Sequence, residues 1–201
     1  MPRPLSTAEV SDFRERLCEA AEGIYAEKGM EGFTLRAVAA RLAVSPMTPY
    51  RYFHDKDEML AAVRVRAFNR FSDSLEKAFA RPGGAGDKAN AAGEAYIRFA
   101  LEHPSAYKLM FDVSQPEDGK YPELSAAAAR SRQTLTRHIH PLVETGTLEG
   151  DPVLIGHVFW AMLHGALMLH LANKLEPDFG YRKILDGAFE ALIRGFAPRG
   201  K

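Results

Sequence analysis

Histidine, cysteine and carboxylate side chains are where chemistry would first be sought in this 201-residue chain. His138, His140, His157 and His164 fall in its C-terminal half, and a helix would place His157 and His164 about two turns apart on one face, as a metal site could use. No His-Glu-x-x-His pattern or cluster of acids accompanies them, so neither a metal nor another cofactor is expected. A single cysteine, Cys18, excludes an intrachain disulfide framework and any multi-cysteine zinc site, and it fits a reducing compartment. There is no Gly-x-Ser-x-Gly elbow, no dinucleotide fingerprint after a strand pattern and no spaced carboxylate pair. The glycine run after Pro82 lacks Gly-Lys-Ser/Thr and reads as a flexible connection. No catalytic residue is assigned, and the chain is not expected to be an enzyme.

Phosphate recognition is better supported. Residues 32 to 54 hold three arginines and no Asp or Glu, although the chain carries 26 basic and 26 acidic side chains and is neutral overall. A local basic surface is what a polyanion requires. Thr34, Arg36, Ser45, Pro46, Met47, Thr48, Tyr50, Arg51, Tyr52 and Lys56 are the candidate DNA-binding residues. Pro46, Met47 and Arg36 are assigned to base edges, and Thr48, Tyr50, Tyr52 and Lys56 to phosphates. Residues 1 to 8 carry two prolines and no apolar periodicity, so they read as a mobile arm; Arg3 either enters a minor groove or is simply disordered.

These residues need a scaffold, and the sequence around them supplies one. Thr34 is an N-cap with Phe33 and Val38 as a hydrophobic staple, and Leu35, Val38, Ala39 and Leu42 then make one apolar stripe. Ser45 caps a second helix with Pro46 at its first position, a steep crossing that lets the second helix lie in a major groove. Pro49, at the fourth helical position, removes a hydrogen bond towards Ser45, which predicts a short, distorted recognition helix. Val10, Phe13, Leu17, Ala20 and Ile24 predict an earlier helix ending near Gly29, completing a three-helix helix-turn-helix domain over 9–55.

From about Phe13 to Leu60 the chain resembles the TetR family of bacterial transcriptional regulators. The resemblance rests on Lys28-Gly29, Gly32-Phe33-Thr34, Val38-Ala39, Val44-Ser45, Tyr50-Arg51-Tyr52-Phe53, Lys56 and Leu60. It implies an N-terminal DNA-binding domain, a helical ligand-binding domain and a homodimer. Ala43 departs from the pattern, since the family usually has Gly there, so Ala must take φ > 0 or the turn closes differently. Trp160, His164 and Gly165 resemble the Trp-x-x-x-His-Gly motif of a TetR subgroup. They line a pocket, or they are a core tryptophan, a satisfied histidine and a glycine for close helix packing.

The fold class expected is all-α, with a helical ligand-binding and dimerisation domain over 56–201. Helices are predicted from Asp55 to about Ala80, over 87–102 and 104–112 with a break at His103-Pro104, and over 123–145, 153–172 and 181–197, with a polar loop at 114–122. Asp151 and Pro152 start a helix that is apolar nearly all round. Its three histidines at successive depths and the lack of flanking cations argue against a membrane span. Burial on opposite faces follows if helices 152–172 and 181–197 of two chains form a four-helix bundle, which predicts a homodimer. Phe99, Tyr107, Met110, Phe111, His138, Trp160 and His164 are the candidate ligand-binding residues, around a small apolar effector beside the long helix from Asp55. No secretory signal pattern is seen, so a cytoplasmic location is expected. The reading is a ligand-responsive regulator, a repressor released from a near-palindromic double-stranded operator. The alternatives are a ligand-independent DNA-binding protein and a helical enzyme or carrier. Operator sequence, effector identity and regulated genes stay open.

Overall fold

The computed structural model describes residues 6–112 and 118–198, and the regular elements among them are helices. Arg3, and 113–117 of the neighbourhood of the expected 114–122 loop, lie outside the described residues. The α-helices are α1 (Thr7–Gly32), α2 (Leu35–Arg41), α3 (Lys56–Phe79), α4 (Ala85–Glu102), α5 (Pro104–Met110), α6 (Pro122–Arg137), α7 (His140–Glu144), α8 (Pro152–Leu171) and α9 (Tyr181–Phe196). They form two compact units, one of residues up to Phe68 with Ser105–Ala128, the other of Asn69–Pro104 with Ala129 onward. This division differs from the one drawn at residue 55 from the sequence.

In the first unit, α1 starts before Val10 because Ser6 and Glu9 form a capping box. The Glu9 amide donates to Ser6 Oγ at 3.3 Å and the Ser6 amide to Glu9 Oε2 at 2.7 Å. Residues 6 to 8 are therefore part of a helix start, not of an arm. Gly29, at φ 65 and ψ −163, interrupts the helix, and one further turn carries it to Gly32. Thr34 caps α2 by accepting from the Ala37 amide at 3.0 Å. Ala43 does take the left-handed conformation, with φ 53. Leu17, Ile24, Phe33, Val38, Phe53, Met59 and Leu60 bury one shared core, and Leu109 of α5 joins it. That contact, with Arg64 Nη2 donating to the Met110 carbonyl at 3.2 Å, explains why a segment distant in sequence belongs to this unit.

In the second unit, Phe71 meets Tyr96 and Phe99 edge-on at 5.2 Å each. One helix was expected over 123–145, but it is broken between α6 and α7. Pro141 is the reason, because it has no N–H for the Arg137 carbonyl and its ring crowds that turn, so the Ile139 amide turns to Thr136 O at 3.0 Å. Asp151 caps α8, accepting from the Val153 amide at 2.8 Å. α8 is long and apolar enough to cross a membrane by composition, yet Ile155, Phe159, Leu163 and Leu167 are buried within the chain itself. Its other side leaves Val153, Leu154 and Leu169 exposed. Gly156 is where α6 comes close, since an added Cβ would stand 3.0 Å from Thr136 Cα. Gly165 has no such neighbour within 4 Å, so the close-packing role belongs to Gly156.

Candidate nucleic-acid interface and ligand cavity

The stretch from Ser45 to Arg51 is a turn followed by a 3-10 helix over Pro49–Arg51, not the expected α-helix capped by Ser45. Pro49 cannot donate to the Ser45 carbonyl, which instead accepts from the Thr48 amide at 2.8 Å, and the Arg51 amide bonds Thr48 O at 3.1 Å. Ser45 Oγ retains a weaker local role, accepting from the Met47 amide at 3.4 Å. Pro49 and Phe53 are buried and anchor the segment from beneath. Arg14 of α1 holds its far end, donating to the Tyr52 carbonyl at 2.9 Å with its guanidinium 4.4 Å from the centre of the Phe53 ring. Ser45, Pro46, Met47, Tyr50 and Arg51 are left exposed, Met47 at 67%.

The remaining predicted residues divide by their partners. Thr34 and Arg36 are exposed, and neither Arg36 nor Arg51 has an ion pair among the described residues. Thr48 and Tyr52 are half-buried, and the Tyr52 ring lies 4.9 Å from Phe13. Lys56 Nζ donates to the Met30 carbonyl at 3.2 Å and lies 5.6 Å from the Phe33 ring centre, so it ties α1 to the start of α3. Arg41 is paired with Glu27 of α1 and passes over Gly23, where a Cβ would come within 2.6 Å of its Nη1. The local positive charge therefore rests on Arg36 and Arg51 more than a count of arginines suggests. Glu15, Glu19 and Glu22 of α1 lie 3.0, 2.6 and 3.8 Å from the Arg66 guanidinium, which offsets their charge within the unit.

The second unit holds a cavity of about 580 Å³. Its walls are α4 and α9, through Gly93, Ile97, Leu185 and Phe189, and its floor is α8 with the α6–α7 junction. Arg182 and Glu94 are paired at its exposed rim, 3.2 Å apart. His138 lines it, and burial pushes the imidazole below its ordinary pKa against the opposing pull of the Thr134 carbonyl. Among the described residues no three His, Cys, Asp or Glu side chains gather as metal ligands.

Comparison with known proteins decides the family. The description "Tetracyclin repressor-like, C-terminal domain" matches residues 89–196, just over half of the chain, and "Bacterial regulatory proteins, tetR family" matches residues 17–63. The chain belongs to the TetR family. It is 31% identical over 72 residues to the HTH-type transcriptional regulator UidR of Escherichia coli (strain K12), a match covering 34% of this chain and 37% of that protein. The chain thus spans little more than a third of that curated relative's length in the match. Among solved structures, one of unknown function from Rhodococcus sp. RHA1 superposes with a TM-score of 0.81 at 25% identity, covering 98% of this chain and 100% of that one. A TetR family transcription regulator from Marinobacter aquaeolei VT8 shares the fold, with a TM-score of 0.70 at 18% identity over 96% of this chain and 100% of that one. The family is one of DNA-binding transcriptional regulators, not enzymes.

In this TetR chain one of the seven predicted ligand-binding residues, His138, lines the cavity of the second unit. Tyr107 and Met110 are buried in the first unit, where Phe111 meets the Tyr107 ring at 5.2 Å. Phe99 is buried in the second unit against Phe71 and against His103 at 5.1 Å. Trp160 and His164 share one face of α8, half-buried with ring centres 6.4 Å apart, and burial lowers the His164 pKa. The cavity residues that sequence reasoning missed, such as Phe189 and Leu185, carried only the periodicity of α9, which marks a buried face without saying what it borders.

Proposed function

We propose that the protein is a cytoplasmic, ligand-responsive transcriptional repressor that binds a near-palindromic operator as a homodimer and leaves it when a small, largely apolar molecule binds. The observation carrying this reading is the Ser45–Arg51 segment, exposed at Met47 and Tyr50, anchored by buried Pro49 and Phe53, and free of carboxylates. An apolar tip flanked by Arg36 and Arg51 suits contact with thymine methyl groups and phosphates together. The exposed Val153, Leu154 and Leu169 of α8 support dimerisation through this helix, because an apolar face of this kind needs a partner. Two recognition segments would then meet half-sites about 34 Å apart, or a multiple of it. The cavity of about 580 Å³ supports the effector. A ligand that favours the state unable to span both half-sites would weaken operator binding roughly 5- to 150-fold, and operator would weaken the ligand equally.

The test is selection of fragments of the source genome by the purified protein at moderate salt. Recovery of fragments sharing one near-palindrome supports the reading. Recovery without sequence preference would return the chain to the alternatives, a helical carrier first among them.

A further inference from the structure

The cavity on α4, α8 and α9 has a chemistry specific enough to name what fills it. Its volume of about 580 Å³ falls within the roughly 300–1,000 Å³ of small-molecule sites. The walls are hydrocarbon and aromatic, with Phe159 and Phe189 stacked at a tilt, ring centres 5.6 Å apart. Charge is confined to the exposed rim, where Arg182 is paired with Glu94 at 3.2 Å and Asp186 adds a further carboxylate. An anionic head would meet Glu94 and Asp186 there, and a cationic head carried past the rim would meet only hydrocarbon and a neutral ring. Either would lose hydration without a counter-charge.

One polar side chain stands deeper. His138 Nδ1 is shut off from solvent and makes no hydrogen bond among the described residues. The Thr134 carbonyl, four residues back on α6, favours a proton on the ring, while burial lowers the pKa and keeps the imidazole uncharged at neutral pH. An uncharged imidazole carries one proton on its two nitrogens, so the ring keeps one lone pair with which it can accept a hydrogen bond from an occupant.

We propose that this cavity takes an uncharged, largely apolar molecule with one hydroxyl, an alcohol or phenol, and that the unprotonated ring nitrogen of His138 accepts the hydrogen bond from that hydroxyl. The proposal rests on the ligand-responsive reading given above and supplies its ligand class. A hydroxyl without this partner would be desolvated at a cost, whereas the methyl ether of the same body has no proton to place.

The test is calorimetric titration of the full-length protein with 4-butylphenol, 4-butylanisole and 4-butylphenyltrimethylammonium. The phenol is expected to bind roughly 5- to 50-fold more tightly than the anisole, the range set by one satisfied hydrogen bond against one left unmade. In His138→Phe the phenol should lose this advantage and bind no more tightly than the anisole, since its hydroxyl is then desolvated without a partner. In Gly93→Trp, where an added Cβ meets nothing within 4 Å, the new side chain should fill the cavity and abolish both. Equal binding of phenol and anisole to the unaltered protein would overturn the proposal, as would tighter binding of the ammonium compound or no binding of any probe at about 1 mM. Genomic-fragment selection on the same preparation separates the two failures. A protein that selects an operator yet ignores the phenol refutes the ligand class alone, and one that does neither refutes the parent reading too.

Discussion

Replacing Ala43 by glycine should make this protein more stable. Ala43 sits between α2 and the recognition segment with φ 53, its amide bonded to Ala40 O at 3.1 Å and the next amide, Val44, to Ala39 O at 3.0 Å. The left-handed conformation costs a non-glycine residue about 1–2 kcal/mol. Glycine removes that cost but returns about 0.4–1 kcal/mol through the greater freedom of the unfolded chain. Ala43 is exposed, so losing its methyl group sacrifices no core contact. The net gain is about 0.5–1 kcal/mol, or roughly 1–4 °C in melting temperature for a chain of this size. Ala43→Val is the opposing control, since a β-branched side chain fits this region worse than Ala and should lower the melting temperature. Thermal melts followed by far-UV circular dichroism would read both. If Ala43→Gly leaves the melting temperature unchanged or lowers it, while Ala43→Val is tolerated, the turn does not hold a left-handed residue and the reasoning fails.

Other substitutions probe the second unit. Gly156→Ala should destabilise by about 1–3 kcal/mol, because its Cβ would press on the Thr136 backbone at 3.0 Å, whereas Gly165→Ala, with open space around it, should be neutral or gain up to about 1 kcal/mol of helix propensity; chemical denaturation measures both. Leu154→Glu and Leu169→Glu should yield folded monomers by light scattering, while Leu167→Glu, fully buried within its own chain, should unfold the protein and report nothing about dimerisation. His138 and His164 have folded-state pKa values lowered by burial, so between those values and about 6.5 the unfolded chain binds more protons. Their contribution is therefore present above pH 6.5 and lost as pH falls below it. The melting temperature should drop between pH 7.5 and 5.5, and the drop should shrink in His138→Phe. Glu76, held below its ordinary 4.5 by Arg130, loses its contribution only at lower pH and does not confuse this window.

Much of the scaffold was legible because its determinants are local. Thr34 with Ala37 and Asp151 with Val153 lie within one helical turn and the apolar stripe of α2 within two, and all three are found where their spacing predicted them. Pro49 signalled a distorted recognition segment, but spacing alone did not reveal that the α-helix would give way to a turn and a 3-10 helix. The same blindness missed the break before Pro141, since the apolar periodicity on either side suits one continuous helix. Longer-range electrostatics were not legible at all. Lys56 and Met30 lie 26 residues apart, Arg14 and Tyr52 38 apart, and nothing in the local pattern pairs them. Aromatic and methionine side chains mark apolar surroundings, and for Tyr107, Met110 and Phe99 those surroundings are packed core.

The central claim is that Met47, exposed at the tip of the Ser45–Arg51 segment, reads base edges while Arg36 and Arg51 supply charge. It is tested most directly by measuring Met47→Ala on the selected operator and on random DNA across a salt series. The account predicts operator binding weakened by about 1–3 kcal/mol, binding to random DNA unchanged, and an unaltered slope of log affinity against log salt. Equal losses on both DNAs, or no loss on either, would contradict it.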